Sequence, residues 1–252
     1  MKLNHHLICV LSVIPVRAEH DDRAEIVTQL LFGEVMTIID VHEQWLKVRI
    51  QHDGYEGWVD DKLVLQIADE TFENLSKNTR RLQVTNHIQT PWGLIEVLEG
   101  SPIISNEQSF FIDDYYMEWE DGALDIQSDN ITDVSFNYMN APYLWGGRTR
   151  YGLDCSGFTQ TVFHQLGHYL PRDASQQVQE GREIEFEKQQ IGDLAFFISE
   201  KTGKIIHVGI ILADSMIIHA HGRVRIDQLT TKGIFNRQKQ YYSHKLSKIK
   251  RI

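Results

Sequence analysis

The pattern of apolar and polar positions changes character along the chain. From residue 8 to residue 66 the apolar positions form short runs separated by turn residues. Val35-Met36-Thr37-Ile38-Ile39 is rich in β-branched residues, and Trp45-Leu46-Lys47-Val48-Arg49-Ile50 alternates. Alternation with period two marks a strand with one buried and one wetted face. Gln51-His52-Asp53-Gly54 follows, and its Asp-Gly pair supplies the positive φ of a hairpin turn before the next strand, Tyr55-Glu56-Gly57-Trp58-Val59. A turn about every ten residues is the spacing of a small barrel. Residues 69–79 are polar and read as a linker with room for one short helix. Residues 80–130 resume the strand texture: Leu82-Gln83-Val84 alternates, 92–98 is a strand and Glu99-Gly100-Ser101-Pro102 a turn. The two stretches are alike in pattern rather than in identity.

From residue 131 the period lengthens. Residues 131–140 predict a helix that stops before Pro142. Residues 155–166 predict a second, with Phe158, Val162, Phe163 and Leu166 on one face and Gly167 as its stop. Strands are expected at 192–198, 205–212, 216–221 and 224–229. A helix followed by antiparallel strands is an α+β layout.

The first apolar run, Leu7-Ile8-Cys9-Val10-Leu11-Ser12-Val13-Ile14-Pro15-Val16, fits two descriptions. It follows a weakly basic start and ends at Val16-Arg17-Ala18, a tolerable cleavage pattern for a signal peptide. Pro15 interrupts it, and Val10, Val13, Ile14 and Val16 are β-branched, which favours a first strand.

Composition narrows the function. The 252 residues carry 25 Lys and Arg against 35 Asp and Glu, a formal charge of −10. An acidic chain makes a poor phosphate-backbone binder, so no nucleic acid partner is expected. No apolar run approaches the roughly 18–20 residues that span a bilayer, and no membrane partner is expected. Two cysteines, Cys9 and Cys155, cannot form a disulfide framework.

Cys9 sits in an apolar run and reads as a small buried hydrophobe. Cys155 lies in Leu153-Asp154-Cys155-Ser156-Gly157-Phe158, at the first turn of the predicted helix. Unpaired amides and the positive end of the helix dipole stabilise an anion there, which is expected to lower the thiol pKa. Asp154 suits the helix cap, and Gly157 permits close approach of another backbone; taken alone, Cys155 fits a small buried hydrophobe equally well.

A thiol nucleophile needs a base, and the chain has 12 His. His5, His6, His42, His164 and His244 sit in polar contexts and read as solvated surface. His207 shares a strand face with Gly209 and Ile211, and the glycine leaves space beside the imidazole. Ile217, His219 and His221 share a face of the next strand. If Ala213-Asp214-Ser215 is a three-residue loop, Leu212 pairs with Met216 and His207 and His219 lie diagonally on one face. A two-residue loop would put them on opposite faces. Cys155, His207 and His219 then serve as nucleophile, base and orienter. A zinc site from His207, His219 and His221 is the rival, though no acidic or cysteine ligand is placed to complete it.

At this point the residues are recognisable. Pro142-Tyr143-Leu144-Trp145-Gly146-Gly147, Asp154-Cys155-Ser156-Gly157-Phe158, Leu170-Pro171-Arg172 with Gln176, Gly192-Asp193-Leu194-Ala195-Phe196-Phe197, His207-Val208-Gly209-Ile210 and Ile218-His219-Ala220 occur in that order. Together they resemble the NlpC-type cell-wall peptidases, which are papain-like cysteine peptidases. The upstream half resembles the two bacterial SH3-like barrels of one subgroup, through Gln29-Leu30-Leu31-Phe32-Gly33-Glu34 and Asp53-Gly54-Tyr55-Glu56-Gly57-Trp58. The second barrel matches that subgroup only in outline. The resemblance implies an α+β protein: a first barrel at 1–68, a linker at 69–79, a second barrel at 80–130 and a papain-like catalytic domain at 131–252.

The same resemblance implies roles. Cys155 is the nucleophile, His207 the general base and His219 its orienter. Asp154, Ser156 and Arg172 lie beside the substrate, and Trp145, Gly146 and Gly147 wall the site. Tyr55, with Glu25 as the acidic residue, helps bind the free amine of an N-terminal L-Ala. Tyr55 as a barrel-core aromatic and Arg172 as a structural ion-pair partner are the plainer alternatives. Relatives of that subgroup cut the γ-D-glutamyl–L-diamino acid bond of peptidoglycan peptides. The expected substrate is a small peptidoglycan-derived peptide; no cofactor is called for, and a monomer is expected. A retained N-terminal strand together with a free-peptide substrate implies the cytoplasm, whereas a cleaved leader implies export. Two other functions fit: a cell-wall-peptide binding module with an inactive peptidase domain, and an amidase or acyltransferase on the same fold.

Overall fold

The computed structural model describes residues 5–78, 80–122 and 128–252. Residues 1–4, Thr79 and 123–127 of the expected domain ranges lie outside the described residues. The chain divides into two units, Met1–Gln127 and Ser128–Ile252.

The first unit begins with β1 (His6–Cys9), β2 (Val13–Arg17), β3 (Ile26–Leu31), β4 (Val35–His42), β5 (Trp45–Ile50), β6 (Glu56–Asp60) and β7 (Val64–Ile67). They form one antiparallel sheet in the order β3-β2-β6-β5-β4-β1-β7. β5 alternates as its sequence does: Leu46, Val48 and Ile50 are buried and Arg49 is exposed. Gly54 takes φ +72° in the hairpin that returns the chain into β6. The apolar run that also fitted a leader peptide forms β1 and β2. β1 lies between β4 and β7, with Leu7, Ile8 and Cys9 fully buried.

Helix α1 (Asp69–Ser76) occupies the polar stretch. A second sheet follows, built from β8 (Asn86–Thr90), β9 (Gly93–Val97), β10 (Ser109–Ile112) and β11 (Tyr115–Trp119) in the order β10-β11-β8-β9. The expected strand at Leu82-Gln83-Val84 is absent. Arg81 makes an isolated bridge to Pro102, Leu82 exchanges backbone hydrogen bonds with Gly100 and Ser101, and the strand starts at Asn86. The two sheets share a core. Ile8, Phe32, Val35 and Ile67 pack with Leu82, Ile88, Met117 and Trp119, and Phe72 and Leu75 of α1 lie against the same cluster. Arg81 adds a buried ion pair to Glu34 at 2.9 Å.

The second unit opens with α2 (Ile131–Phe136), shorter than the predicted helix. Tertiary pairing takes the rest: Asn140 adopts φ +68°, its amide donates to Val224 O, and Ala141 O accepts from Val224 N. β12 (Arg148–Thr149) and β13 (Gly152–Leu153) form a small hairpin before α3 (Cys155–Gln165), which ends at Gly167 in φ +79°. After α4 (Ala174–Gln177) come β14 (Arg182–Ile184), β15 (Leu194–Ile198), β16 (Ile205–Ile211), β17 (Met216–His221), β18 (Arg223–Thr230), β19 (Gly233–Asn236) and β20 (Tyr241–Arg251). Their order is β14-β20-β15-β16-β17-β18-β19, and a further β19–β20 pairing closes β15 to β20 into a barrel.

Alternation along the strands sorts two apolar layers. Leu194, Phe196, Val208, Ile210 and Ile218 pack with Phe158, Val162 and Cys155 of α3. Ala195, Phe197, Ile211, Ile217, Leu229 and Ile234 form the other layer, which is the face that carries His207 and His219.

Candidate active site

Cys155 is the first residue of α3, and its neighbours hold the helix start rigidly. Asp154 is the N-cap: its Oδ1 accepts from Gly157 N at 2.6 Å and its Oδ2 from Gly146 N at 2.9 Å. Such a cap satisfies amides that a helix start leaves open. Arg172 then grips both carboxylate oxygens at 3.0 and 2.5 Å and donates to Ser156 Oγ at 3.0 Å. Arg172 and Asp154 thus form a buried ion pair next to Cys155. Gly157 allows the contact its sequence position implied: a methyl group there would lie 2.2 Å from Gly147 O.

Cys155 is 8% exposed. The backbone amides of Ser156, in its own helix, and of Val208, the residue after His207 on β16, act on its sulfur to favour the thiolate. α3 is therefore seated on the strand that carries the candidate base.

The β16–β17 hairpin has the even register. Ile210 pairs with Ile218, Ile211 with Ile217, and Leu212 N donates to Met216 O. His207 and His219 are diagonal neighbours on one face, with His207 Nε2 at 2.8 Å from His219 Nδ1. Gly209 makes the approach possible, since a methyl group there would come within 2.8 Å of His219 Cβ.

The structure adds residues that the sequence reading missed. His219 Nε2 lies 3.1 Å from Asp227 Oδ2 on β18. Asp227 is braced by Arg225, with Nη2 donating to Oδ1 at 2.9 Å and Nε 2.7 Å from Oδ2. Even pairing of β17 with β18, His219 opposite Arg225 and Ile217 opposite Asp227, puts Asp227 on the histidine face. That register was available from the hairpin at Gly222. His244 of β20 stacks on His207, ring centroids 4.1 Å apart and planes 18° from parallel. His244 is therefore not the solvated surface residue expected. Neither is His164, which is buried with Nε2 3.2 Å from Leu170 O. Among the described residues no three His, Cys, Asp or Glu side chains are gathered as a metal site.

Electrostatics reverse one expectation. Burial pushes the Cys155 thiol up to about 12, and the Asp154 charge adds to it. The two amides and Arg172 oppose this without overcoming it, because desolvation penalises the thiolate more than the helix start favours it. Burial also holds His207 well below the usual imidazole range, with His219, His244 and His221 acting the same way. His219 is lowered by burial against the opposing pull of Asp227. For Asp227 burial alone would raise the carboxyl, but hydrogen bonds from His219 and Arg225 leave it below its ordinary value. The free site thus holds a neutral thiol and neutral imidazoles beside a carboxylate. Tyr143, half-buried nearby, is pushed up to about 12 by burial and then by Cys155.

Tyr55 and Glu25 lie in the other unit. Tyr55 packs against the first-barrel core, and its amide donates to Asp53 Oδ1 at 3.0 Å. Glu25 is exposed just before β3, its carbonyl accepting from Ala18 N. Cys9 is buried, with its sulfur 3.3 Å from Leu11 O.

A cysteine at the start of a helix, laid against an antiparallel sheet whose adjacent strands carry paired histidines, defines the papain-like fold. Comparison with known proteins agrees. The profile of the NlpC/P60 family matches residues 140–244, and that of the bacterial dipeptidyl-peptidase Sh3 domain matches 16–62. A γ-D-glutamyl-L-lysine dipeptidyl-peptidase of Bacillus cereus is 27% identical over 237 residues, covering 82% of this chain and 71% of the relative. A probable endopeptidase of Haemophilus influenzae is 34% identical over 118 residues, 46% of this chain and 73% of the relative. The crystal structure of an NlpC/P60 family protein from Bacillus cereus superposes with a TM-score of 0.78 at 20% identity, covering 98% of this chain and 99% of that one. The chain belongs to the NlpC/P60 family of peptidoglycan peptidases.

Proposed function

We propose that the chain is a cysteine endopeptidase that hydrolyses the γ-D-glutamyl–L-diamino acid bond of peptidoglycan-derived peptides with a free N-terminal L-Ala. The observation that carries the chemistry is the 2.8 Å contact of His207 with His219, beside the Val208 against which Cys155 packs. The substrate class is supported by the relatives of Bacillus cereus and Bacillus subtilis, both named γ-D-glutamyl-L-lysine dipeptidyl-peptidase. A dipeptidyl-peptidase removes two residues from a free amino end.

In this scheme the Cys155 thiol gives its proton to His207 as the sulfur attacks the γ-carbonyl of D-Glu. The C–S bond forms and the carbonyl becomes a tetrahedral oxyanion, with the Cys155 amide as a donor to it. His207 returns the proton to the nitrogen of the diamino acid as the C–N bond breaks. Water, deprotonated by His207, then cleaves the thioester and restores the thiol. Because thiol and imidazole are both neutral in the free site, proton transfer accompanies attack. His219 holds the His207 ring in the role an Asp or Asn plays in other triads.

The test is digestion of L-Ala-γ-D-Glu-L-Lys, its diaminopimelate counterpart and intact sacculi, followed by mass spectrometry. Wild type should release L-Ala-γ-D-Glu from the free tripeptides and little from sacculi, and EDTA should not change the rate. Cys155→Ala should release none. Undiminished hydrolysis by Cys155→Ala would exclude the nucleophile; release from sacculi at rates comparable to free tripeptide would exclude the free-amine requirement.

A further inference from the structure

Beyond the three residues of that scheme, we infer that Asp227 is a positioning residue that dictates which nitrogen of each imidazole carries its proton, and so keeps His207 in the tautomer able to accept one from Cys155. The inference rests on the Cys155 and His207 reading above and extends it by two contacts.

An ionised carboxylate only accepts hydrogen bonds. Asp227 is 6% exposed and engaged by Arg225 on both oxygens, which favours its charged form. The atom facing it at 3.1 Å, His219 Nε2, must therefore donate. A neutral imidazole with its proton on Nε2 has a bare Nδ1. That Nδ1 lies 2.8 Å from His207 Nε2, which must in turn donate to it. Neutral His207 is then bare at Nδ1, the nitrogen left to take the thiol proton. One carboxylate thus fixes two protons in series.

The other groups around the relay are compatible with this order. His221 from β17 and His244 from β20 face His207, and both have their pKa values lowered, chiefly by burial. Phe197 from β15 closes another side, its ring 5.7 Å from that of His207. Arg225 and Asp227 face His219 from β18, and Lys239 acts on His221.

Asp227→Asn is the informative change. Its amide can donate to His219 Nε2, which would move the His219 proton to Nδ1 and the His207 proton to Nδ1, disabling the base. An Asp→Asn change directly behind a catalytic histidine is known to lower kcat about 10⁴-fold in a serine protease through the wrong tautomer. One imidazole further away, a loss of at least about 100-fold in kcat is expected, with KM within about twofold.

The experiment uses the full chain with ¹⁵N-labelled histidine. Imidazole ¹⁵N spectra of wild type should show both His207 and His219 protonated at Nε2. Asp227→Asn should move both to Nδ1 and lower kcat; Asp227→Glu should keep the Nε2 forms and recover part of kcat. A wild-type spectrum with His207 protonated at Nδ1 overturns the inference, and this readout needs no variant to fold. Wild-type kcat with Nε2 protons in Asp227→Asn overturns it as well. Hydrolysis by Cys155→Ala would instead defeat the underlying scheme, while the tautomer assignment would still be decided by the spectra.

Discussion

The imidazoles of His207 and His244 lie face to face, 4.1 Å between centroids, although 37 positions separate them in the chain. Burial lowers His244 to about 3, with His219 and His221 adding to it. Two stacked rings in a largely dry layer cannot both gain charge cheaply, so each helps keep the other neutral.

The stability of the protein should therefore fall on mild acidification. A histidine whose pKa is lowered in the folded state contributes in full above its unfolded value near 6.5. That contribution is lost as pH falls below 6.5, because the unfolded chain takes up protons first. His207, His219 and His244 all have this sign. Each contributes a slope of at most about 1.4 kcal/mol per pH unit. Urea unfolding should be nearly level from pH 7.5 to about 6.5 and fall steadily from there to pH 5, the fall made shallower by His244→Phe. A flat profile would contradict it.

Alkylation should report the neutral thiol. With Cys155 pushed up to about 12, iodoacetamide should label it slowly at pH 7, and the rate should climb about tenfold per pH unit through pH 9. Mass spectrometry of the peptide holding Cys155 gives the rate. A plateau between pH 5 and 9 would indicate a preformed thiolate–imidazolium pair.

Gly209→Ala should impair activity through His219. The added methyl would meet His219 Cβ and Ile217 Cδ1, each at 2.8 Å, and neither side of a packed layer yields freely. Overpacking of this kind costs about 1–3 kcal/mol. A loss of kcat larger than the loss of stability predicts is expected, read from steady-state rates beside urea midpoints.

Arg172→Met should destabilise the chain strongly. It leaves the buried Asp154 carboxylate with its amide donors but without its cation, a change of about 3–5 kcal/mol. Arg172→Lys should recover only part, because an ammonium cannot bond both oxygens in a fork. Unfolding midpoints of the two variants check the order.

Much of the site was legible where chemistry follows local register. β5, α3 and β17 lie where alternation and capping put them, and the Ala213-Asp214-Ser215 loop fixed the face of His207 and His219. The same counting across Gly222 reaches Asp227. His244 is different in kind. β20 is polar, with Lys245, Lys248 and Lys250 in one strand, and a bulge between Phe196 and Phe197 shifts its register against β15. No short-range pattern encodes that contact. Likewise Leu82 alternates like a strand residue, but its hydrogen bonds to Gly100 and Ser101 extend only an isolated bridge at Arg81, not a strand. The thiol pKa was misjudged because a helix start is visible in sequence whereas the depth of burial is not.

The core common to the two N-terminal sheets bears on how such chains can be cut and recombined. A break in the segment around α1 would strand Phe32 and Val35 without Leu82 and Trp119, and would leave Glu34 buried without Arg81. The first sheet has a further core of its own around Leu7, Leu30 and Val48, whereas the buried residues of the second cluster in the shared one. In a chimera the two must be transplanted together, and a lineage that discarded the second would have to resurface the first.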